Sequence, residues 1–345
     1  MPNYNQTLQS NNIDLQVILS AINELPEASG GVDLPTLTNP AQSEEIFLNK
    51  ETIDANGNIK VGTFTIDSEL STQNELLIEL ENILDTKANG SGENEDAIIS
   101  GEITSYTNDR VKTVGGYALA GRHNLLTVSF PICTNIKTSA FTYCSNLTTA
   151  NFPVCVNISS YAFYQCRNLK TINFPECTSI DYCAFTICDS LTSVNFPVCT
   201  SIGSNAFNGC GNLATISFPI CTTISNHAFT QCYKLTSVNF PACTSIYNHA
   251  FAICSNLTTV SLPKCTNISS FAFQQCHILS SLILGASSVC ILVNSNAFSM
   301  TPFLGYSLSF SGTPHIYVPA SLVDAYKSAT NWVYFSSYIT AMEVE

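Results

Sequence analysis

Proline recurs at Pro131, Pro153, Pro175, Pro197, Pro219, Pro241 and Pro263, a constant spacing of 22 residues, and no other feature limits the possible folds of this chain so tightly. A fixed period of this length marks a repeat protein, in which each unit can bury its apolar face only against its neighbours. The same register carries Ala-Phe pairs from Ala140-Phe141 to Ala272-Phe273 and a leucine column from Leu125 to Leu279. It slips once. Cys290 and Ala297-Phe298 fall 25 residues after their predecessors, and the three extra residues are expected to loosen the last coil.

Within the repeat, the columns headed by Cys133, Ile136, Ala140, Phe141, Cys144, Leu147, Ala150 and Phe152 accept almost only apolar residues, whereas the column of Ile132 also admits Glu176 and Lys264. That contrast separates core from surface. A stretch such as "LTSVNF" (191–196) reads as a short strand, ended by a proline that has no N–H to donate. Stacking such coils aligns one strand per repeat at ~4.8 Å in a parallel sheet, and about eight coils would extend over roughly 35–40 Å.

Charge divides the chain. Residues 1–110 hold 19 Asp and Glu against 4 Lys and Arg, and residues 111–345 hold 6 against 8, so the net −13 is made of −15 and +2. Neither part has the clustered Lys and Arg that phosphate binding requires, which argues against nucleic acid as a partner. No apolar run approaches the ~20 residues of a membrane helix, so no membrane insertion is expected. The opening "MPNYNQTLQSNNIDLQVILSAINELPE" lacks a basic n-region and a small-residue cleavage site, so no secretory signal is read.

The acidic part reads as residues 1–88, an attachment or oligomerisation region of helix, strand and helix. Leu15, Ile18, Leu19, Ile22 and Leu25 recur at helical spacing, as do Leu76, Leu77, Leu80, Ile83 and Leu84 behind Thr72 and Glu75 at capping-box spacing. Between them "IKVGTFTID" (59–67) predicts a strand after the turn-like "DANGN". Such short amphipathic helices must dock on something, either within one small domain or on identical copies as a stalk. Residues 89–97 form a linker, 98–300 the repeats and 301–345 a C-terminal cap.

The phrase A-F-x-x-C-x-x-L-x-x-V-x-F-P resembles the BspA-like type of leucine-rich repeat, common on bacterial surfaces and in mobile elements. "IYVPASLVDAYKSATNW" (316–332) resembles the segment that often ends such arrays. The resemblance implies a leucine-rich-repeat solenoid, with a parallel β-sheet on one face, a small α/β N-terminal region and a C-terminal cap. It implies adhesion or ligand binding and no shared active site. The departure is cysteine two residues after the proline, where aliphatic residues are commoner.

Fifteen of the 16 cysteines fall in two columns, one from Cys133 to Cys290 and one from Cys144 to Cys276, with Cys183 outside both. Val111 occupies the first column in the first repeat, so the site asks for a small apolar group and not for a thiol as such. Buried free thiols without polar partners are expected. Disulfides would need sulfurs brought together from parallel Cβ vectors, and zinc needs converging ligands.

Two surfaces are candidates for binding. The turn around each Ala-Phe gathers Tyr143, Tyr161, Tyr164, Tyr182, His227, Tyr233, Tyr247, His249, Phe271 and His277, and aromatic side chains at exposed, variable positions are usual binding anchors. The outward strand positions include Thr171, Asn173, Ser193, Asn195, Thr215, Ser237 and Asn239, a hydroxyl- and amide-rich face that either satisfies itself or binds protein or glycan. His227 and His249 share a column without a nearby carboxylate, so no metal is expected, nor any other cofactor. Between residues 111 and 300 the acids are Glu176, Asp181 and Asp189 alone, which speaks against an enzyme.

The expected role is non-enzymatic recognition of a cell-surface protein or glycan. One setting is a phage or prophage tail, since the modular start resembles prophage-encoded repeat proteins and virion proteins need no secretory signal. Phage fibres are often trimeric, which implies a homotrimer. The alternative is a bacterial surface or secreted adhesin, and a structural spacer is the third reading.

Overall fold

In the computed structural model of the chain, residues 104–306 and 312–343 are described, together with the backbone of the short strands Leu37–Thr38, Glu45–Ile46, Lys50–Ile53 and Ile59–Val61. The chain divides into two compact units, Met1–Asn74 with Thr86–Gly92, and Glu75–Asp85 with Glu93–Glu345. In the first unit Ile59–Val61, the start of the strand expected over 59–67, pairs antiparallel with Lys50–Ile53. Both expected helices of this region lie outside the described residues.

The second unit contains the solenoid. Nine two-residue strands, from Thr113–Val114 to Ile291–Leu292, pair in chain order as one parallel sheet. A second series of longer strands runs from Ser105–Thr107 through Ser281–Leu284 and continues into the C-terminal segment as His315–Val318 and Ile339–Ala341. The apolar columns fill the space between. Cys133, Ile136, Ala140, Phe141, Cys144, Leu147, Ala150 and Phe152 are all fully buried, as their tolerance pattern requires. Two phenylalanine ladders run through this core. Phe141, Phe163, Phe185, Phe207, Phe229 and Phe251 stack within 6° of parallel at 5.0–5.3 Å between centroids. Phe130, Phe152, Phe174, Phe196, Phe218 and Phe240 form the other ladder, at 5.1–6.1 Å.

The longer strands do not form one sheet. Their pairing breaks between Thr171–Asn173 and Ser193–Asn195, and again between Thr215–Ser217 and Ser237–Asn239. At both breaks the spacing in the second phenylalanine ladder widens to 6.1 Å, for Phe174–Phe196 and Phe218–Phe240. The strand before each break centres on Ile172 or Ile216, only partly buried in a column whose other members, from Val128 to Leu282, are buried. At both breaks an isoleucine of this column is followed in the next coil by a valine, Val194 or Val238.

Between the two strand series each coil runs through tight turns in which the backbone alternates hand. Tyr161 and Gln165 have φ of 60° and 58°. The N–H groups of Tyr161, Phe163 and Gln165 therefore donate forward to the carbonyls of Tyr182, Ala184 and Thr186 at 2.8–2.9 Å, while those of Ala162, Tyr164 and Cys166 close turns backward. The same bonds recur coil after coil, so three columns of aligned peptides link the coils along this ribbon.

The cysteines require a correction. All sixteen are buried free thiols, but those of the two columns have polar partners. Each thiol from Cys133 to Cys265 in the first column donates to the carbonyl two residues on, as Cys199 does to Ser201 at 3.2 Å. In the second column each reaches a carbonyl of the preceding coil, as Cys210 does to Phe185 at 3.2 Å. Burial pushes Cys144, Cys210 and Cys254 up to about 12, which keeps them protonated donors and poor nucleophiles. Cys210→Ser should therefore cost about 1 kcal/mol in urea unfolding, at the low end of the ~1–3 kcal/mol for a buried unsatisfied group. A loss near 3 kcal/mol would show that serine finds no partner there.

The three extra residues do not loosen the last coil. The Cys290 N–H donates to the Tyr326 hydroxyl at 2.9 Å, and its carbonyl accepts from Trp332 Nε1 at 2.6 Å. The insertion offers both backbone groups of one residue to the cap.

Candidate functional site

The turn ribbon brings part of the predicted aromatic set together. Tyr143 touches Tyr164 at 5.6 Å, Tyr164 touches Tyr161 at 5.6 Å, and Tyr161 touches Tyr182 at 5.2 Å, always edge to face. These tyrosines come from four different columns, so their contacts run diagonally across three successive coils. A second group is a stack. His227 lies on His249 at 4.7 Å and His249 on Phe271 at 4.9 Å, within 10° of parallel. Burial, and then the neighbouring His249, hold His227 below the ordinary histidine range.

Tyr143, Tyr161, His227, His249 and Phe271 all occupy left-handed positions, with φ between 57° and 61°. Glycine, such as Gly209 in the column of Tyr143, or a short amide, such as Asn205 in the column of the other four, fits there with least strain. Bulky rings at these positions sit on strained backbone at the surface.

The remaining predicted residues stand apart from both groups. Tyr233 is exposed and lies across Gly211, where an added Cβ would come within 3.2 Å of its ring. Tyr247 is exposed one coil further on. His277 reaches the Met300 carbonyl at 3.2 Å and packs against Tyr306. Tyr117 belongs with the set and was missed: it is exposed at φ 60°. Its coil reads Ala118-Leu119 in place of Ala-Phe, which hid the register.

On the strand face, side-chain bonds run from Asn173 to Asn151 at 2.8 Å and from Asn151 to Ser129 at 3.0 Å, ending at the first break. Beyond it Ser193, Asn195, Thr215, Ser237 and Asn239 are exposed, and Thr171 with them on the near side. Mutual satisfaction thus describes the first coils and not the middle of the face. Among the described residues no group of His, Cys, Asp and Glu is placed to hold a metal ion. No helix among them is long and apolar enough to cross a membrane.

Parallel strands, a buried leucine column and a second turn face repeated every 22 residues define a leucine-rich-repeat solenoid. Residues 101–198 and 178–304 match the BspA type leucine rich repeat region in six copies, and the chain belongs to that family. Among solved structures it is similar to a leucine rich cell surface protein from Faecalibacterium prausnitzii A2-165, at 22% identity over 70% of this chain and 73% of that one, with a TM-score of 0.37. It is also similar to a leucine-rich repeat protein from Bacteroides ovatus ATCC 8483, at 19% identity over 70% of this chain and 66% of that one, with a TM-score of 0.45. A leucine-rich repeat protein from Eubacterium ventriosum ATCC 27560 shares 23% identity over 54% of this chain and 44% of that one, with a TM-score of 0.35. No curated protein matches the sequence.

Proposed function

We propose that the chain is a non-enzymatic recognition protein of the bacterial surface that holds a protein or glycan partner on its turn ribbon. One observation carries this reading: half-buried and exposed aromatic rings occupy left-handed backbone positions. A non-glycine residue there costs roughly 1–2 kcal/mol, and the variety of side chains in these columns shows that packing does not demand a ring. These positions are left-handed in coil after coil whatever residue fills them, so the rings are a choice of side chain that the backbone does not require, and exposed aromatic side chains at variable positions are usual binding anchors. Membership of the BspA-type family favours the bacterial surface over a phage tail. Residues 1–88 serve as the attachment and self-association region, and 89–97 link them to the solenoid.

The test is attachment of the full chain to immobilised surface proteins and glycans. Replacing Tyr143, Tyr161 and Tyr182 together by Ala should abolish attachment and leave the circular-dichroism melt in place. Replacing Ser193, Asn195, Thr215 and Ser237 by Ala should leave attachment intact, and the opposite result would move the site to the strand face.

A further inference from the structure

We propose that Cys265 and Cys290 are a site of covalent modification: a peroxide oxidises them to a disulfide in the folded chain, and the bond ties the last coil to its neighbour beneath the C-terminal cap. The site is made by the 25-residue step between the two cysteines. Ile291 and Leu292 pair with Asn267 and Ile268, so in that register Cys290 falls opposite Thr266, one residue beyond the place that faces Cys265. Thr266 is exposed and Cys290 is fully buried. Cys290 therefore enters the core on a diagonal from Cys265, not side by side with it as ladder neighbours stand.

The diagonal suits a disulfide. Neighbouring strands lie about 4.8 Å apart and one residue advances about 3.3 Å, which sets diagonal Cα atoms about 5.8 Å apart. Disulfides most often span about 5.5–6 Å between Cα atoms. Within the ladder, parallel Cβ vectors keep the sulfurs from converging, and each thiol from Cys133 to Cys265 turns to the carbonyl two residues on at 3.2–3.4 Å. Cys290 departs from that pattern. Its Sγ lies 3.7 Å from the Ile291 carbonyl and donates to Cys265 Sγ at 3.9 Å.

The hydrogen bond from Cys290 holds the Cys265 thiol below its ordinary value, whereas burial pushes Cys221 of the same column up to about 11. Cys265 is therefore the attacking thiolate. With hydrogen peroxide, its sulfur takes one oxygen as the O–O bond breaks, and the other oxygen leaves as water with the thiol proton. The Cys290 sulfur then attacks the sulfenic sulfur and displaces hydroxide, which departs as a second water with the Cys290 proton. Two thiols are oxidised to one disulfide and one peroxide is reduced to two waters. The cap is tied in directly, because the Cys290 N–H and carbonyl already bond Tyr326 and Trp332.

The test treats the folded full chain with hydrogen peroxide, alkylates the remaining thiols after denaturation, and maps chymotryptic peptides by mass spectrometry without reduction. A Cys265–Cys290 link is expected, with the other cysteines alkylated. Cys290→Ala should remove the link, and Cys243→Ala, which takes away an in-register neighbour of Cys265, should leave it in place. The link closes a loop around Ser281–Leu284 and so restricts opening of the last coil. Amides of Ser281–Leu284 and Ile291–Leu292 should therefore exchange at least tenfold more slowly after oxidation and recover with dithiothreitol, with no such change in Cys290→Ala. Full alkylation of Cys265 and Cys290 after millimolar peroxide, or links between Cys243 and Cys265 as frequent as those between Cys265 and Cys290, would overturn the proposal. A link that leaves exchange unchanged would show that it does not tie the last coil.

Discussion

Phe207→Ala is expected to remove about 3–5 kcal/mol of stability, the usual range for a fully buried phenylalanine truncated to alanine, and to split one unfolding transition into two. Phe207 is completely buried at the middle of the array. It stacks on Phe185 at 5.2 Å and Phe229 at 5.3 Å, and meets Phe196 and Phe218 at 6.2 and 6.0 Å, so the void would be lined by four rings. The position matters as much as the volume. Phe207 lies between Ser193–Asn195 and Thr215–Ser217, the two strands cut off from their neighbours by the breaks in the longer-strand series. Here coupling along the solenoid depends on the phenylalanine ladders, the turn ribbon and the nine-stranded sheet.

A solenoid coil contacts only its neighbours, so a weakened middle coil separates the array into halves that unfold independently. Urea unfolding followed by far-ultraviolet circular dichroism and by the fluorescence of Trp332, which reports the C-terminal end, should give transitions that no longer coincide. Coincident transitions with a loss under 1 kcal/mol would show that the ladders do not couple the coils.

The inward columns were legible because burial restricts what each can accept: seven in-register copies of one phrase show the tolerance of every position, and that alone places Phe141 and Leu147 in the core. The breaks were not legible, since Val and Ile alternate in this column as conservative exchanges and a break shows only in the distance between strands. Nor were the thiol hydrogen bonds, because sequence places Cys210 in the core but cannot show which carbonyl of the preceding coil lies beside it. The left-handed positions escaped for a different reason. Glycine is their usual mark, but Gly121 and Gly209 alternate in one column with Tyr143, Gln165 and Ile187, and the signal is lost among them. The grouping of the tyrosines was only half visible. Their columns were evident, but contacts running diagonally between columns depend on the ribbon's geometry.

Trp332→Ala should release the cap, at a cost of about 3–5 kcal/mol confined to the C-terminal end. The indole is fully buried, packs against Tyr326, Phe298 and Phe335 at 5.4–6.2 Å, and donates its N–H to the Cys290 carbonyl. Trp332→Phe keeps an aromatic ring and removes that donor, so it isolates the cost of one unpaired buried carbonyl, ~1–3 kcal/mol. Hydrogen exchange gives the spatial readout. In the alanine variant the amides of His315–Val318, Ile339–Ala341 and Ile291–Leu292 should exchange faster while those around Phe207 stay protected; uniform acceleration along the array would show that the cap and the coils form one cooperative unit. The cap also shields an edge. Asn331 Nδ2 donates to the carbonyls of Leu292 and Val293 at 2.8 and 3.0 Å, on the last strand of the nine-stranded sheet. An exposed parallel edge is a template for another chain. With Trp332 gone, residue 331 loses its anchor and Ile291 and Val293, already exposed, flank an open strand, so the alanine variant should self-associate with rising concentration while the phenylalanine variant stays dispersed.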